Sequence, residues 1–395
     1  MAESDRRWPF LLLAATGAFA ILSSTLSKTP ALPLFAIHLG ANPAEIGWVA
    51  MASTVSGILI SLPAGMLSDL VGRRRLLLAA LAIFATAPFL YLLASRVWIL
   101  VLVRFYHGFA TAIFGTVASA WIAGHHVKDR AQKLSTYSSI TIVGRSAAPF
   151  LGGSLISLAG FPAVYLTCAA GGILALALGI MLPRDRERLP LPESHARTWE
   201  TARTALAATL RNGALLATSA TEAAQYFVFG ALEAFLAAYA SVCAIPAWQI
   251  GVILGLQLVC VALIKPLAGY ISDRIGRRPA ILFGLAIAMI GICPIPLFRS
   301  TTALAALSVV FGAGFATATS STGALVGDLS RQDQMGTSMG VLRTIMDTGQ
   351  AAGPVVTGGV INAFGYTAGF EMLAALLLAT ALWFGLGVPA AATQR

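Results

Sequence analysis

Long apolar runs separated by short polar interruptions make up most of this chain, and at about 20 apolar residues per crossing they predict twelve membrane-spanning helices. The runs fall at 9–37, 46–66, 76–95, 98–122, 135–158, 163–182, 214–240, 248–271, 279–298, 301–326, 338–361 and 366–388. Alternating segments of roughly ten residues, the mark of an outer-membrane barrel, do not dominate anywhere. The first run follows Arg6 and Arg7 as a secretory leader would. It is too long for one and continues through Lys28 and two prolines without a small-residue cleavage site, so it reads as the first helix.

The polar interruptions repeat. Gly65-Met-Leu-Ser-Asp-Leu-Val-Gly-Arg-Arg-Arg75 returns as Gly269-Tyr-Ile-Ser-Asp-Arg-Ile-Gly-Arg-Arg-Pro279, Gly108-Phe-Ala-Thr-Ala112 as Gly314-Phe-Ala-Thr-Ala318, and the Gly144 to Pro149 spacing as Gly349 to Pro354, all at nearly one offset. Such repeats are a construction rule of secondary transporters. The chain divides into an N-terminal six-helix half (1–182), a cytoplasmic linker (183–212) and a C-terminal six-helix half (213–395). The linker opens on a charged, proline-punctuated stretch that cannot span a bilayer. Trp199, Ala202, Leu206 and Leu210 follow at helical spacing, as an amphipathic surface helix or a cytoplasmic extension of the seventh span.

Composition agrees with a bilayer location. With 57% hydrophobic and 11% charged residues and a mean hydropathy of +0.81, the chain falls far below the roughly 25% charged content of a soluble globule. The net charge of +10 would suggest nucleic acid in a soluble protein. Here its placement decides: Lys and Arg concentrate in the termini, the linker and alternate loops, with Arg96 and Arg299 alone on the opposite side. The positive-inside rule then puts both termini in the cytoplasm, in a multi-pass protein of a bacterial inner membrane. Cys168, Cys243, Cys260 and Cys293 lack metal or disulfide spacing and read as core residues. No zinc-spaced histidines, phosphate loop or nucleophile elbow accompanies the helices, so an enzyme, a metal site or an organic cofactor is not expected.

The paired loop sequence resembles that of the major facilitator superfamily of transporters, in particular the twelve-helix drug and metabolite:proton antiporters. The resemblance covers nearly the whole chain and implies an all-α membrane fold of two pseudo-symmetric halves. It also implies that Asp69, Arg73, Asp273 and Arg277 form a conformational latch. In similar transporters the loop arginine meets an acid at the end of the fourth or tenth helix; Asp328 fits in the second half, whereas Ala123-Gly124-His125-His126 leaves the first half without one. Arg343 and Asp347, four apart, can meet on one face of the eleventh helix. Leu102-Val-Arg-Phe-Tyr-His-Gly108 looks like the family's Arg-x-x-x-Gly motif, associated with proton coupling. Arg104 corresponds to Val310 and His107 to Ala313, so these polar groups belong to one half only.

Gly144, Pro149 and Gly152 resemble the glycine-proline motif of proton-driven exporters, with Ala148 standing where the family has glycine. Gly349, Gly353 and Pro354 repeat that hinge-like packing stripe. Arg145, opposite Gln350 in the repeat, reads as a buried cation that binds an anionic group or pairs with an acid. Lys28 and Glu233 fall at matched positions of the first and seventh helices, where they could face each other across the central path. Glu233 is then either a proton carrier sensitive to substrate at Lys28 or half of a structural ion pair. Glu222 is a second proton candidate, with Gln225 and Tyr226 beside it.

These residues lead to a monomeric secondary transporter working by alternating access. Proton-coupled export of a small organic compound comes first, with an uptake or exchange carrier for an anion and a non-transporting sensor or scaffold as alternatives. The partners expected are a small-molecule substrate, protons and the lipid bilayer, without nucleic acid. No ATP-binding domain is present in the sequence, so a proton gradient is the expected energy source.

Overall fold

The computed structural model describes residues 3–125, 129–183, 212–330 and 335–387. Its helices are α1 (Glu3–Leu26), α2 (Ala31–His38), α3 (Pro43–Val71), α4 (Arg73–Leu92), α5 (Val97–His125), α6 (Arg130–Ile180), α7 (Gly213–Val242), α8 (Ala247–Ile275), α9 (Arg277–Ile292), α10 (Thr301–Leu329) and α11 (Met335–Gly387), with a short 3-10 turn at Ile295–Leu297. Only helices satisfy every backbone group internally in lipid without closing a barrel. The linker at 184–211, with its expected amphipathic helix, lies outside the described residues.

Ten stretches among the described residues are long and apolar enough to cross a membrane. Two of them, Gln132–Ile180 and Thr337–Leu386, run to 49 and 50 residues, about twice one crossing. Each breaks once, at Gly160 (φ 75°, ψ −174°) and at Gly365 (φ 85°, ψ 172°). That backbone region is open to glycine and strained for other residues. One crossing on either side of each break is consistent with the expected twelve.

The first run departs from expectation. A single helix over 9–37 is replaced by α1 and α2 with a turn at 27–30, because Pro30 has no amide hydrogen to continue the ladder. Lys28 stands in that turn.

The described residues form two compact units. Unit 1 holds 3–41, 48–125, 129–183 and 246–255; unit 2 holds 42–47, 212–245, 256–330 and 335–387. The core of unit 1 is aromatic and aliphatic, built around Leu77, Leu81, Phe84, Phe114 and Trp121. In unit 2 Phe235, Phe311, Phe370 and Leu285 are buried. Large apolar side chains also lie outside, with Leu158 83% and Leu386 89% exposed, as suits surfaces solvated by lipid.

Since apolar faces gain little by leaving lipid, close backbone approach carries the packing. In unit 2 a Cβ on Gly349 or Gly353 would come within 3.0 Å of the Cα of Ala223 or Phe227, so α11 lies directly on α7. In unit 1 Gly108 of α5 faces the backbone of Ser53 in α3, and Gly144 and Gly152 of α6 face Ala18 and Thr29. Pro149 and Gly152 are buried.

Candidate functional site

Two buried polar clusters stand out, one in each unit. In unit 1, Arg104 and His107 lie three residues apart on one face of α5, 4% and 1% exposed. Tyr91, near the end of α4, reaches both: its hydroxyl accepts from Arg104 Nη1 at 3.4 Å and lies 3.2 Å from His107 Nδ1. Tyr165, just past the Gly160 break in α6, stacks on Tyr91 with ring centroids 4.7 Å apart and planes 4° from parallel. Phe84 meets His107 edge-on at 5.5 Å. Arg104 Nε, His107 Nε2 and the Tyr165 hydroxyl have no hydrogen-bond partner.

In unit 2, Glu222 of α7 is 4% exposed and contacts the hydroxyl of Thr322 in α10 through Oε2. The same hydroxyl lies 3.1 Å from the Ala318 carbonyl and 3.3 Å from that of Thr319. One turn along α7, Gln225 is 1% exposed with both amide atoms unpartnered. The Ser219 hydroxyl, one turn the other way, is also buried without a partner. Spacing of three residues keeps Ser219, Glu222 and Gln225 on one helix face. Beyond them Phe315 of α10 stacks on Phe229 at 4.6 Å and meets Tyr226 at 5.2 Å. Lys265 lies on α8 of the same unit. The stripe thus places the acid between Ser219 and Gln225, with a wall of rings beyond Gln225.

The loop motifs form a third group. Arg277 Nε donates to Asp328 Oδ2 at 2.9 Å, and the guanidinium also pairs with Asp273. In unit 1 the guanidinium of Arg73 lies against Gly124, where a Cβ would collide with it. The Asp69 side chain is outside the described residues. The next arginine of each motif caps a helix end. Arg74 donates to the carbonyls of Leu182 at 2.7 Å and Ile180 at 2.6 Å, and Arg278 to that of Gly385. Cations there satisfy carbonyls that a helix leaves unpaired and complement its dipole.

Several expected residues sit elsewhere. Arg145 is exposed, which corrects the expectation of a buried cation: α6 turns that face away from the packed Gly144 and Ala148. Lys28 is half-buried in unit 1 and Glu233 half-buried in unit 2. Arg343 Nε and Asp347 Oδ2 are 3.9 Å apart, with Arg343 78% exposed. Of the four cysteines expected in the core, Cys168 is buried and Cys293 is exposed. Among the described residues no group of three or more His, Cys, Asp or Glu could hold a metal.

Sequence reasoning missed Tyr91, Tyr165 and Thr322 as partners, and Arg74 and Arg278 as caps. The repeated arginine pair signalled the caps. Nothing local signals a phenol on one helix meeting a histidine on another. A groove of about 370 Å³ lined by Ala223, Phe227, Gly349, Val356 and Met372 is apolar and takes in none of the polar residues.

Comparison with known proteins agrees with this architecture. An uncharacterised MFS-type transporter of Methanocaldococcus jannaschii is 23% identical over 363 residues, covering 88% of this chain and 92% of that protein. The cephamycin export protein of Amycolatopsis lactamdurans is 28% identical over 191 residues, 46% of this chain and 39% of that longer protein. The crystal structure of a bacterial homologue of the human lysosomal transporter Spinster, inward-facing and occupied, superposes with a TM-score of 0.83 at 17% identity over 100% of both chains. The family model of the Major Facilitator Superfamily matches residues 11–256 and 224–395. With nearly the whole length accounted for, the chain is a multi-pass membrane transporter belonging to the major facilitator superfamily.

Proposed function

We propose that this transporter exports a small organic compound in exchange for protons, and that Glu222 carries the proton. The carrying observation is the contact between Glu222 and Thr322 in unit 2. The Thr322 hydroxyl has one hydrogen and three oxygens within reach. A helical threonine ordinarily returns that hydrogen to the carbonyl four residues back, here Ala318. Glu222 is then the donor and must be protonated. If the hydrogen instead goes to Glu222, a carboxylate stands buried without an ion pair among the described residues. Protonation satisfies the Glu222–Thr322 pair, and ionisation needs opening to water or a cationic substrate. An acid poised between these states is suited to load and release one proton per cycle. Glu233, half-buried on the same helix, is the second acid of the pathway.

The direction of transport draws support from the similarity to the cephamycin export protein and from the Gly144 to Gly152 stripe. In this reading both termini are cytoplasmic and the protein functions as a monomer in a bacterial inner membrane. The test is transport by purified protein in proteoliposomes loaded with a pH-sensitive dye, screened against amphiphilic cations, organic anions and neutral metabolites. Substrate-dependent proton movement opposite to substrate supports the proposal. Substrate flux unaffected by an imposed pH gradient contradicts it.

A further inference from the structure

Arg104 carries a charge that no described carboxylate of unit 1 balances. Its side chain is 4% exposed, it makes no ion pair with a described residue, and its Nε has no partner. A lone cation inside a membrane is costly unless paired or hydrated.

The hydrogen bonds around it fix what would balance it. The Tyr91 hydroxyl accepts from Arg104 Nη1, which leaves its own hydrogen for His107 Nδ1. Neutral His107 then carries its hydrogen on Nε2, and that atom has no partner. Tyr165 is fully buried against the Tyr91 ring with its hydroxyl unpartnered. Three hydrogens, on Arg104, His107 and Tyr165, therefore lack an acceptor. A water molecule could accept from two of them and donate to the Tyr165 oxygen, but it would leave the guanidinium charge uncompensated. A small anion accepts all three and offsets the guanidinium.

The repeat supplies an independent argument. Counting from Gly72 and Gly276, Tyr91 corresponds to Ile295; counting from Gly160 and Gly365, Tyr165 corresponds to Phe370. With Val310 for Arg104 and Ala313 for His107, the other half fills all four positions with apolar side chains. Ile295 and Phe370 are fully buried. The fold packs without these polar groups, so a ligand accounts for them better than packing does.

We propose that Arg104, His107 and Tyr165 bind a small monovalent inorganic anion of halide size. The burial of the cluster favours a bare ion over an organic carboxylate. The site is separate from Glu222, which lies in unit 2, and its test involves no transport.

The experiment is thermal unfolding of the purified full chain in detergent, titrated with sodium chloride or bromide against sodium gluconate at constant ionic strength. The midpoint should rise saturably with halide and not with gluconate, as for a ligand that binds the folded state. Tyr165→Phe keeps the ring stack and removes one donor; it should fold normally in gluconate and bind halide about tenfold more weakly. Arg104→Gln should abolish the response. Equal midpoints in chloride and gluconate, or the same halide titration for wild type and Tyr165→Phe, would overturn the proposal, and the second comparison stands even if Arg104→Gln does not fold.

Discussion

Arg277 Nε donates to Asp328 Oδ2 at 2.9 Å, tying the first residue of α9 to the last turn of α10. The residue of unit 1 that matches Arg277 is Arg73. Arg73 packs against Gly124 near the end of α5. In unit 2 the motif arginine ties two helices together.

Asp328→Asn should therefore slow the cycle and leave binding intact. The pair is partly exposed, with side chains 17% and 38% accessible, so its loss should cost only about 0.2–1 kcal/mol of stability. Turnover should fall about threefold with the substrate KM little changed, the pattern of a lost contact outside the binding step. Proteoliposome kinetics separate the two parameters.

The helix caps predict an ordered loss of stability. Arg74 makes two charge-assisted bonds to carbonyls and Arg278 makes one. At about 1.5 kcal/mol or more per bond to a charged group, Arg74→Ala should lower the unfolding midpoint further than Arg278→Ala. Thermal unfolding in detergent checks the order.

Glycine contacts on α11 give a sharp contrast. A Cβ at Gly353 would come within 3.0 Å of the Phe227 Cα, while one at Gly359 meets nothing within 4 Å. Gly353→Ala forces α11 off α7 and should destabilise by about 1–3 kcal/mol. Gly359→Ala should be neutral or slightly stabilising, since alanine is the better helix former. Parallel unfolding curves of the two variants decide this.

Features that repeat along the chain were legible from sequence, because hydropathy and small-residue spacing report which segments span and which approach closely. The twelve apolar runs, the paired loops and the stripe of Gly349 and Gly353 belong to that class. The break at Ser27 to Pro30 was visible in its prolines, but a long apolar run hides whether a helix stops and restarts. Partners across helices were not legible. That Glu222 meets Thr322, or that Arg104 and His107 share Tyr91, depends on helix rotation and tilt, which a period of 3.6 leaves free. Arg145 shows the same limit, since an apolar neighbourhood in sequence did not make the side chain buried.

The central claim is that Glu222 carries the coupled proton, and proton release on substrate binding tests it most directly. Purified protein in weakly buffered detergent would be mixed with a transported substrate found by the vesicle screen, with a pH indicator recording the response. Wild type should release about one proton per site as Glu222 gives up its hydrogen. Glu222→Gln, which keeps a donor for Thr322, should stay folded and bind substrate without release. Full release from a folded Glu222→Gln variant would contradict the account.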